Sequence, residues 1–364
     1  MIRRVVHLIP TLEGGGAERQ LMMLAGVQAR RGWSVHVGVR RLGLYDQAVR
    51  DSGAFVHYLG DHRNLNPLLY LKIKSLIGSL KPCFVQTWLS QMDVIGGVAA
   101  VHCSVPWIVS ERTSSLFYKS RSLMILARRI AVKYSQGVVA NSVAGAEYWG
   151  RCYSAKHLVD VIPNAIDVDS IRHYPAAFFP RVSNGGRWIL IVGRLIESKN
   201  HSIILESLAK LMDCSNFNAL VIGEGPMKWS LEENIRACGL SGRVVIQPYR
   251  HDWWGLLPGA AMLISMSRYE GNPNVVLEAM AAGCPLIVSD ISEHREFLDE
   301  SSALLVPLDN ANRLAEAIMK VLSDPQGAGG RALLAARRVG TLTVERAADA
   351  YESFYQKVMR VAVS

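Results

Sequence analysis

Short, uniformly apolar runs alternate with longer amphipathic stretches along the whole chain. Apolar runs without polar alternation predict strands that are buried on both faces, and the stretches between them have helical spacing. The predicted strands fall at 5–9, 33–39, 55–59, 83–87, 107–110 and 137–141 in the first half, and at 188–192, 220–223, 244–247 and 286–289 in the second. This alternation predicts an α/β protein whose parallel sheets are covered on both faces.

Chain length and a change of composition near the middle predict two domains. A chain of 364 residues exceeds the size at which one hydrophobic core is usual. Residues 175–186 are rich in Pro, Gly and Ser, which is typical of a linker. We therefore predict a first domain over 1–175 and a second over 176–342, followed by an amphipathic helix within 343–364.

The stretch 268–290 carries the strongest chemical signal, R-Y-E-G-N-P-N-V-V-L-E-A-M-A-A-G-C-P-L-I-V-S-D. Asn272 can cap a helix, Pro273 suits its first position, and Gly283 is a typical stop. Glu270 then precedes the helix and Glu278 lies inside it. A helix N-terminus favours an anion such as a phosphate, whereas nearby carboxylates suit hydroxyl groups. An anion bound beside hydroxyls describes a nucleotide sugar.

Seven residues separate Glu270 from Glu278, and the wording around them resembles the E-x7-E motif of the retaining family 4, or group 1, glycosyltransferases. The resemblance implies the GT-B fold, in which two Rossmann-like domains with parallel sheets face each other across a cleft. It also implies an acceptor site on the first domain, a donor site on the second, and a final helix packed back on the first. Such enzymes assemble bacterial capsule, lipopolysaccharide and other glycans.

Other motifs extend the resemblance to further residues. The G-G-A-E-R wording that contains Gly15 and Gly16 resembles the family loop that faces the donor, and Arg194 with Lys199 resembles the R-x4-K pair that binds the donor diphosphate. Residues 249–251 follow a predicted strand, at the end where nucleotide bases commonly lie. The implied donor site comprises Gly15, Gly16, Arg194, Lys199, Tyr249, Arg250, Glu270, Gly271, Asn272, Pro273, Asn274, Val275 and Glu278.

The expected reaction is hexosyl or N-acetylhexosaminyl transfer from a nucleotide sugar, expected to be a UDP-sugar, with retention at the anomeric carbon. No metal or other cofactor is expected, because Arg194, Lys199 and a helix dipole can stabilise the departing diphosphate. The D-V-D of 167–169 is interpreted as the family's I-P-N-G-I-D turn, with Ala165 replacing a glycine, and not as a metal site.

The segment after the predicted strand 107–110 departs from the family pattern. Many members have an active-site His there, whereas this chain has Glu111 and Arg112. The catalytic candidates are therefore Glu270, Arg194, Lys199 and Glu111. Two other functions stay open, a nucleotide-sugar epimerase of GT-B fold and a catalytically silent, membrane-associated partner subunit.

The charge of the chain is concentrated in its first half. Residues 1–180 hold 21 basic and 11 acidic side chains, against 19 and 20 in the remainder. Without a nucleic-acid motif, this imbalance favours an anionic lipid surface and a lipid-linked glycan acceptor. In the segment 116–134, Leu123, Leu126, Ile130 and Tyr134 can share one helical face. The predicted membrane or acceptor contacts are Lys119, Arg121, Arg128, Arg129 and Lys133, and the alternative is a core helix with a solvated basic face.

The remaining sequence features place the protein in the cytoplasm. The six cysteines form no C-x-x-C pair, no apolar run is long enough to span a membrane, and the N-terminus lacks a signal-peptide core. Peripheral attachment to the inner face of the cell membrane is therefore the predicted localisation.

Overall fold

The structure is a computed structural model that describes residues 3–61, 66–112, 123–152, 158–182, 185–214 and 216–363. The chain forms two compact units. The first is built from the chain up to Ala165 together with the segment from Val344 onward, and the second spans Ile166–Thr343. Each has its own parallel sheet, and each is described separately below.

The first unit contains a seven-stranded parallel sheet with the order β3-β2-β1-β4-β5-β6-β7. The strands are β1 (Arg4–Thr11), β2 (Ser34–Arg41), β3 (Phe55–Tyr58), β4 (Phe84–Trp88), β5 (Trp107–Glu111), β6 (Gly137–Ala140) and β7 (Leu158–Val161). The helices are α1 (Gly16–Arg30), α2 (Asp46–Asp51), α3 (Pro67–Leu80), α4 (Leu89–His102), α5 (Leu123–Val132), α6 (Val143–Cys152) and the last helix of the chain, α14 (Val344–Val363).

The second unit contains a six-stranded parallel sheet with the order β10-β9-β8-β11-β12-β13. Its strands are β8 (Arg187–Val192), β9 (Phe217–Ile222), β10 (Val244–Gln247), β11 (Ala260–Ser265), β12 (Leu286–Ser289) and β13 (Leu304–Val306). Its helices are α7 (Val168–Arg172), α8 (His201–Ala209), α9 (Lys228–Ala237), α10 (Asn274–Ala281), α11 (Ser292–Arg295), α12 (Ala311–Ser323) and α13 (Pro325–Val339), with 3₁₀ segments at Glu197–Lys199 and His251–Gly259.

Both sheets reverse their strand order once, as Rossmann-like sheets do. The reversal lies between β1 and β4 in the first unit and between β8 and β11 in the second. The crossover connections on either side of such a point diverge, which opens a crevice at the carboxyl ends of the two strands. The site residues of the second unit are therefore expected after β8 and β11.

The apolar pattern located ten of the thirteen strands and missed β7, β11 and β13. The apolar run that contains β11 begins in the preceding 3₁₀ segment, so its pattern does not show where the strand starts. β13 has three residues and β7 has Leu-Val-Asp-Val, in which a buried strand is not evident. These strands are specified by their neighbours in the sheet more than by their own sequence.

The boundary between the units lies at Ala165–Ile166 and not at the predicted 175. Ile166 and Ile171 belong to the buried core of the second unit. Farther along, the Phe179 ring stacks on Trp188 with centroids 4.8 Å apart, and the Ala177 amide donates to the Gly255 carbonyl at 3.0 Å. The Pro-rich segment is thus the edge of a packed unit.

α14 closes the core of the first unit. Tyr351, Phe354, Tyr355 and Val358 are buried in the cluster formed around β1, β2 and β4. The Tyr355 hydroxyl donates to Gln86 Oε1 at 2.5 Å and accepts from Gln28 Nε2 at 3.2 Å. The helix is therefore held by both apolar packing and buried hydrogen bonds.

The same polar chain continues to His7, whose imidazole is fully buried. Trp88 Nε1 donates to His7 Nδ1 at 3.2 Å, so His7 Nε2 carries the proton that reaches Gln28 Oε1 at 2.8 Å. Burial lowers the pKa of His7 to about 4. The imidazole is therefore neutral at physiological pH and serves as a structural hydrogen-bonding group.

The apolar residues that would form the buried face of α5 in a core helix are exposed in the structure. Leu123, Leu126, Ile130 and Tyr134 are all exposed, so they do not form the buried side. Arg128, predicted to contact a membrane, is only 1% exposed and faces the interior. Arg129 and Lys133 are exposed. Lys119 and Arg121 lie outside the described residues.

Arg128 is buried because it neutralises two carboxylates. Its Nε donates to Asp93 Oδ2 at 2.6 Å, and its Nη1 lies 2.9 Å from Glu111 Oε2. Trp149 Nε1 donates to the same Glu111 oxygen at 2.6 Å, and Thr87 Oγ1 donates to Asp93 Oδ1 at 2.6 Å. Burial raises the pKa of Asp93 to about 6, although the charge of Arg128 opposes this. This group joins α4, α5 and α6 to the sheet.

Replacing Arg128 by Met is expected to lower the free energy of unfolding by about 3–5 kcal/mol at pH 7, because two buried carboxylates lose their counter-charge. The matched control is Arg129→Met, one residue along the same helix. Arg129 is exposed and bonds Tyr148, so this change should cost less than about 1 kcal/mol. Urea unfolding followed by tryptophan fluorescence measures both. Equal effects would show that the buried group does not hold the helix.

Candidate active site

The crevice at the sheet reversal of the second unit collects polar side chains from three loops. Lys199 ends the 3₁₀ segment after β8, Glu270 follows β11, and His294 lies in α11 after β12. Because β8, β11 and β12 are neighbouring parallel strands, their carboxyl ends lie along one edge. Residues separated by about 95 positions in sequence are thereby brought together.

Lys199 and Glu270 form a direct ion pair across this crevice. Lys199 Nζ lies 2.5 Å from Glu270 Oε1, and the two side chains are 22% and 13% exposed. Burial raises the pKa of Glu270, but the charge of Lys199 and its hydrogen bond outweigh burial and leave the pKa below its ordinary value. Glu270 is thus an ionised carboxylate paired with Lys199. The ammonium group of Lys199 could bind a phosphate in place of Glu270.

His294 adds a neutral acceptor near this pair. Its Nδ1 lies 2.8 Å from the Ser289 carbonyl oxygen, which can only accept, so Nδ1 carries the proton. Burial lowers the pKa of His294, while the charge of Glu270 raises it. Nε2 is buried and has no hydrogen-bond partner among the residues described. His294 is not among the predicted site residues, although its position shortly after a predicted strand was a usable signal.

Glu278 lies inside α10 and is fixed by an indole. Its side chain is buried, and Trp254 Nε1 donates to its Oε2 at 3.2 Å. Trp254 in turn meets the Tyr174 ring edge to face at 5.5 Å. Trp254 fixes the position of this carboxylate and is not among the predicted site residues, because it lies 24 residues before Glu278.

The start of α10 differs from the prediction by about one position. The helix begins at Asn274, Pro273 occupies the capping position, and no side chain caps it. Asn272 therefore does not serve as the cap, although its carbonyl oxygen accepts from the Asn274 amide at 2.9 Å. Gly271, Asn272, Pro273, Asn274 and Val275 form the turn and first helical residues between the two glutamates.

The remaining donor-site candidates of this unit lie at strand ends. The Arg194 side chain is exposed just after β8, and its guanidinium has no ion-pair partner within the described ranges. Arg250 follows β10 and forms a two-point ion pair with Asp252, with Nε–Oδ1 and Nη2–Oδ2 both at 2.6 Å. Tyr249 is exposed beside it. Lys199 and Glu270 are in contact, whereas Arg250 is already bound elsewhere.

The predicted site residues of the first unit differ in whether they are accessible to a ligand. Gly15 precedes α1 and Gly16 begins it, so backbone amides are available at the end of β1. Glu111, proposed as a catalytic residue, is fully buried and bound by Arg128 and Trp149. The prediction that Glu111 is catalytic is therefore wrong. Its carboxylate is removed from solvent and neutralised by Arg128, so Glu111 is a structural counter-ion. Arg112 is also engaged, with its guanidinium over the Trp88 ring at 4.7 Å.

Asp167 of the D-V-D segment is a helix cap. Its Oδ1 accepts from the Ser170 amide at 3.0 Å and its Oδ2 accepts from Ser170 Oγ at 2.6 Å. Within the described part of the chain, no three His, Cys, Asp or Glu side chains are grouped as metal ligands would be.

Two family models match the chain, one in each half. The model described as group 1 glycosyl transferases matches residues 177–333, and the glycosyltransferase family 4 model matches residues 14–170. The chain belongs to the group 1, family 4 glycosyltransferases. It is therefore a glycosyltransferase of glycan biosynthesis.

Two curated glycosyltransferases are similar to this chain in sequence over more than two thirds of its length. One, from Campylobacter jejuni, is named N-acetylgalactosamine-N,N'-diacetylbacillosaminyl-diphospho-undecaprenol 4-alpha-N-acetylgalactosaminyltransferase; it is 25% identical over 267 residues, 71% of this chain and 72% of that protein. Another, from Escherichia coli, is named UDP-Gal:alpha-D-GlcNAc-diphosphoundecaprenol alpha-1,3-galactosyltransferase; it is 23% identical over 314 residues, 76% of this chain and 79% of that protein.

The fold matches solved structures over nearly the whole chain. HepE from Anabaena, solved in complex with UDP and glucose, gives a TM-score of 0.85 with 18% identity, and covers 98% of this glycosyltransferase and 100% of HepE. The predicted GT-B class, with two parallel-sheet α/β domains, is confirmed.

Replacing Lys199 by Met is expected to lower the free energy of unfolding by about 1.5–3 kcal/mol at pH 7, because the partly exposed Glu270 carboxylate loses a charged hydrogen bond. The pKa of Glu270 is lowered on folding, so the pair stabilises the fold above the unfolded value of about 4.5 and this contribution is lost as the pH falls through the lower folded value. The cost of the substitution should therefore shrink at acidic pH.

Urea unfolding at pH 7, 5 and 4 measures this dependence. Lys210→Met is the matched control, since Lys210 is exposed and lies 4.0 Å from Glu206. It should cost less than about 1 kcal/mol at every pH. A cost for Lys199→Met that does not change with pH would contradict the role of the ion pair.

Proposed function

We propose that this glycosyltransferase moves a hexosyl or N-acetylhexosaminyl group from a UDP-sugar to a glycan acceptor carried on a lipid diphosphate, with retention of the anomeric configuration. The Lys199–Glu270 ion pair carries this proposal, because it places a cation and a carboxylate at the sheet reversal where nucleotides bind in open parallel sheets. The cation suits the donor diphosphate, and the carboxylate suits the hydroxyls of the transferred sugar.

Donor binding exchanges the partners of Lys199. In the free protein the ammonium neutralises Glu270. When a diphosphate arrives, Lys199 turns to it together with the exposed Arg194, and Glu270 is released to accept hydrogen bonds from sugar hydroxyls. Glu278, held by Trp254, accepts from the ribose. Charge on the diphosphate grows as its bond to the sugar breaks, so the two cations stabilise the transition state more than the ground state.

These two cations supply the electrostatic stabilisation of the leaving group, so the proposal requires no divalent metal. The cap that Asp167 forms on α7 supports a structural role for the D-V-D segment in this proposal. The donor is proposed to be a UDP-sugar since HepE is solved with UDP, and one relative is named for UDP-Gal.

The lipid-linked acceptor is proposed from the surface of the first unit. Exposed apolar residues lie beside Arg129 and Lys133, as on proteins that rest on anionic lipid headgroups. Two relatives are named for acceptors on diphospho-undecaprenol. No helix among the described residues is long and apolar enough to cross a bilayer. We propose peripheral attachment at the inner face of the cell membrane.

The two glutamates are expected to differ in their effects. Glu278→Gln should weaken UDP binding by roughly ten- to a hundredfold, because the ribose hydroxyls lose a charged acceptor and one of the two oxygens becomes a donor. Glu270→Gln frees Lys199, so UDP should bind at least as tightly while turnover falls by a similar factor. Calorimetric titration with UDP and the rate of sugar transfer measure the two effects. Glu206→Gln, on an exposed helix face, is the control. Unchanged binding and turnover in both variants would exclude this donor site.

The decisive experiment incubates the protein with anionic lipid vesicles, a bacterial lipid extract and radiolabelled UDP-glucose, UDP-galactose or their N-acetylamino analogues. We expect label to enter the lipid phase, with or without EDTA, and the new linkage to have the anomeric configuration of the donor by NMR. The protein should sediment with the vesicles at low salt and leave them at about 1 M salt, where charges are screened beyond about 3 Å.

Each other outcome has a definite meaning. Conversion of the donor to its epimer would identify an epimerase, and absence of both reactions with every donor would identify a silent subunit. A strict requirement for magnesium would show that Arg194 and Lys199 do not suffice. Label that enters only soluble glycans would exclude the lipid-linked acceptor.

A further inference from the structure

An open apolar groove of about 490 Å³ lies between α4 and α5 of the first unit. Val98 and Val101 line it from α4, Ala127 and Ile130 line it from α5, and Tyr134 and the buried Trp107 complete it. Its volume falls within the roughly 300–1,000 Å³ of sites that hold small ligands. All of its lining residues belong to the first unit.

The groove is formed by two helical stripes that the core does not cover. Val94, Val98 and Val101 recur at spacings of four and three on α4, which places them on one face. On the opposite side, Ile130 in α5 and Tyr134 in the turn that follows α5 both remain more than half exposed. A soluble protein rarely leaves two facing apolar stripes open, so the groove is suited to an apolar ligand.

The charged residues around the groove indicate which charged group the apolar ligand has. Between residues 66 and 146 the sequence contains two carboxylates, Asp93 and Glu111, and both are buried against Arg128. Arg129 and Lys133, adjacent in sequence to Ile130 and Tyr134, are exposed. Basic side chains beside an apolar groove complement an anionic headgroup that is followed by a hydrocarbon chain.

We propose that the α4–α5 groove binds the isoprenoid chain of a lipid phosphate, with Arg129 and Lys133 beside its charged group. Assigning this lipid to the acceptor rests on the proposed function, but chain binding itself does not. The groove would hold the proximal part of the chain out of the bilayer, which fixes the headgroup relative to the protein.

The test measures binding of farnesyl diphosphate, farnesol and inorganic diphosphate by calorimetric titration, with saturating UDP present to occupy the nucleotide site. Ile130→Gln combined with Val98→Gln should weaken farnesyl diphosphate binding by roughly tenfold or more, because a polar group enters the apolar contact. Lys133→Gln should weaken farnesyl diphosphate several-fold and leave farnesol unchanged.

Leu126→Gln is the matched control. Leu126 lies on the same helix and is 55% exposed, against 54% for Ile130, but it does not line the groove. Its binding of farnesyl diphosphate should equal that of the wild type. All replaced side chains are partly exposed, and unchanged melting temperatures would show that the variants fold.

Three results of the binding and sedimentation measurements would overturn the proposal: equal weakening by Leu126→Gln and by the groove variant, no binding of farnesyl diphosphate, or a dimer in sedimentation that the groove variant abolishes. The first would indicate a general membrane face, and the last a protein interface. Farnesyl diphosphate binding without any sugar transfer would leave the groove established and the proposed function wrong. Transfer to a lipid-linked acceptor with an unchanged KM in the groove variant would refute the groove alone.

Discussion

Parallel strand pairing is the constraint on which the site depends. A parallel sheet returns the chain through a crossover after every strand, so every strand delivers its carboxyl end to the same edge. In the second unit this rule brings the loops after β8, β11 and β12 together, and with them Lys199, Glu270 and His294. The sheet supplies rigidity, while the loops are free to carry polar residues that the core would exclude.

The ion pairs of Arg128 in the first unit are fully buried, whereas the Lys199–Glu270 ion pair of the second unit is partly exposed. In the first unit, Asp93, Glu111 and Arg128 are withdrawn from water and join helices to the sheet. In the second unit, Lys199 and Glu270 keep some exposure at an open edge. A fully buried ion pair resists exchange of partners, because separation leaves uncompensated charge. A partly exposed pair can accept a ligand in place of one partner, so exposure distinguishes a structural ion pair from one that can bind a substrate.

The sequence predicted most of the fold but only part of the site. Uniform apolar runs located most strands, because a buried strand needs such residues whatever its neighbours are. The spacing of Glu270 and Glu278 predicted a donor site around α10, and the structure places Glu270 before this helix and Glu278 inside it. Arg128 and Arg129 could not be separated in this way: they are adjacent and chemically identical, and only the position of Asp93 in another helix decides which is buried. Trp254 was missed for the same reason, because Glu278 lies 24 residues farther along the chain. His294 comes near Glu270 only because β11 and β12 are neighbours in the sheet.

The position of α14 affects the order in which the protein is made. Tyr351, Phe354 and Tyr355 complete a core whose other residues come from the first third of the chain and from β6 and its neighbours. During synthesis at about 5–20 residues per second, the first unit therefore leaves the ribosome with an apolar surface still uncovered, while the second unit acquires all of its strands and helices. The domain that begins first is then completed last, and until α14 emerges its open core is a surface for chaperones or for misassembly with another nascent chain.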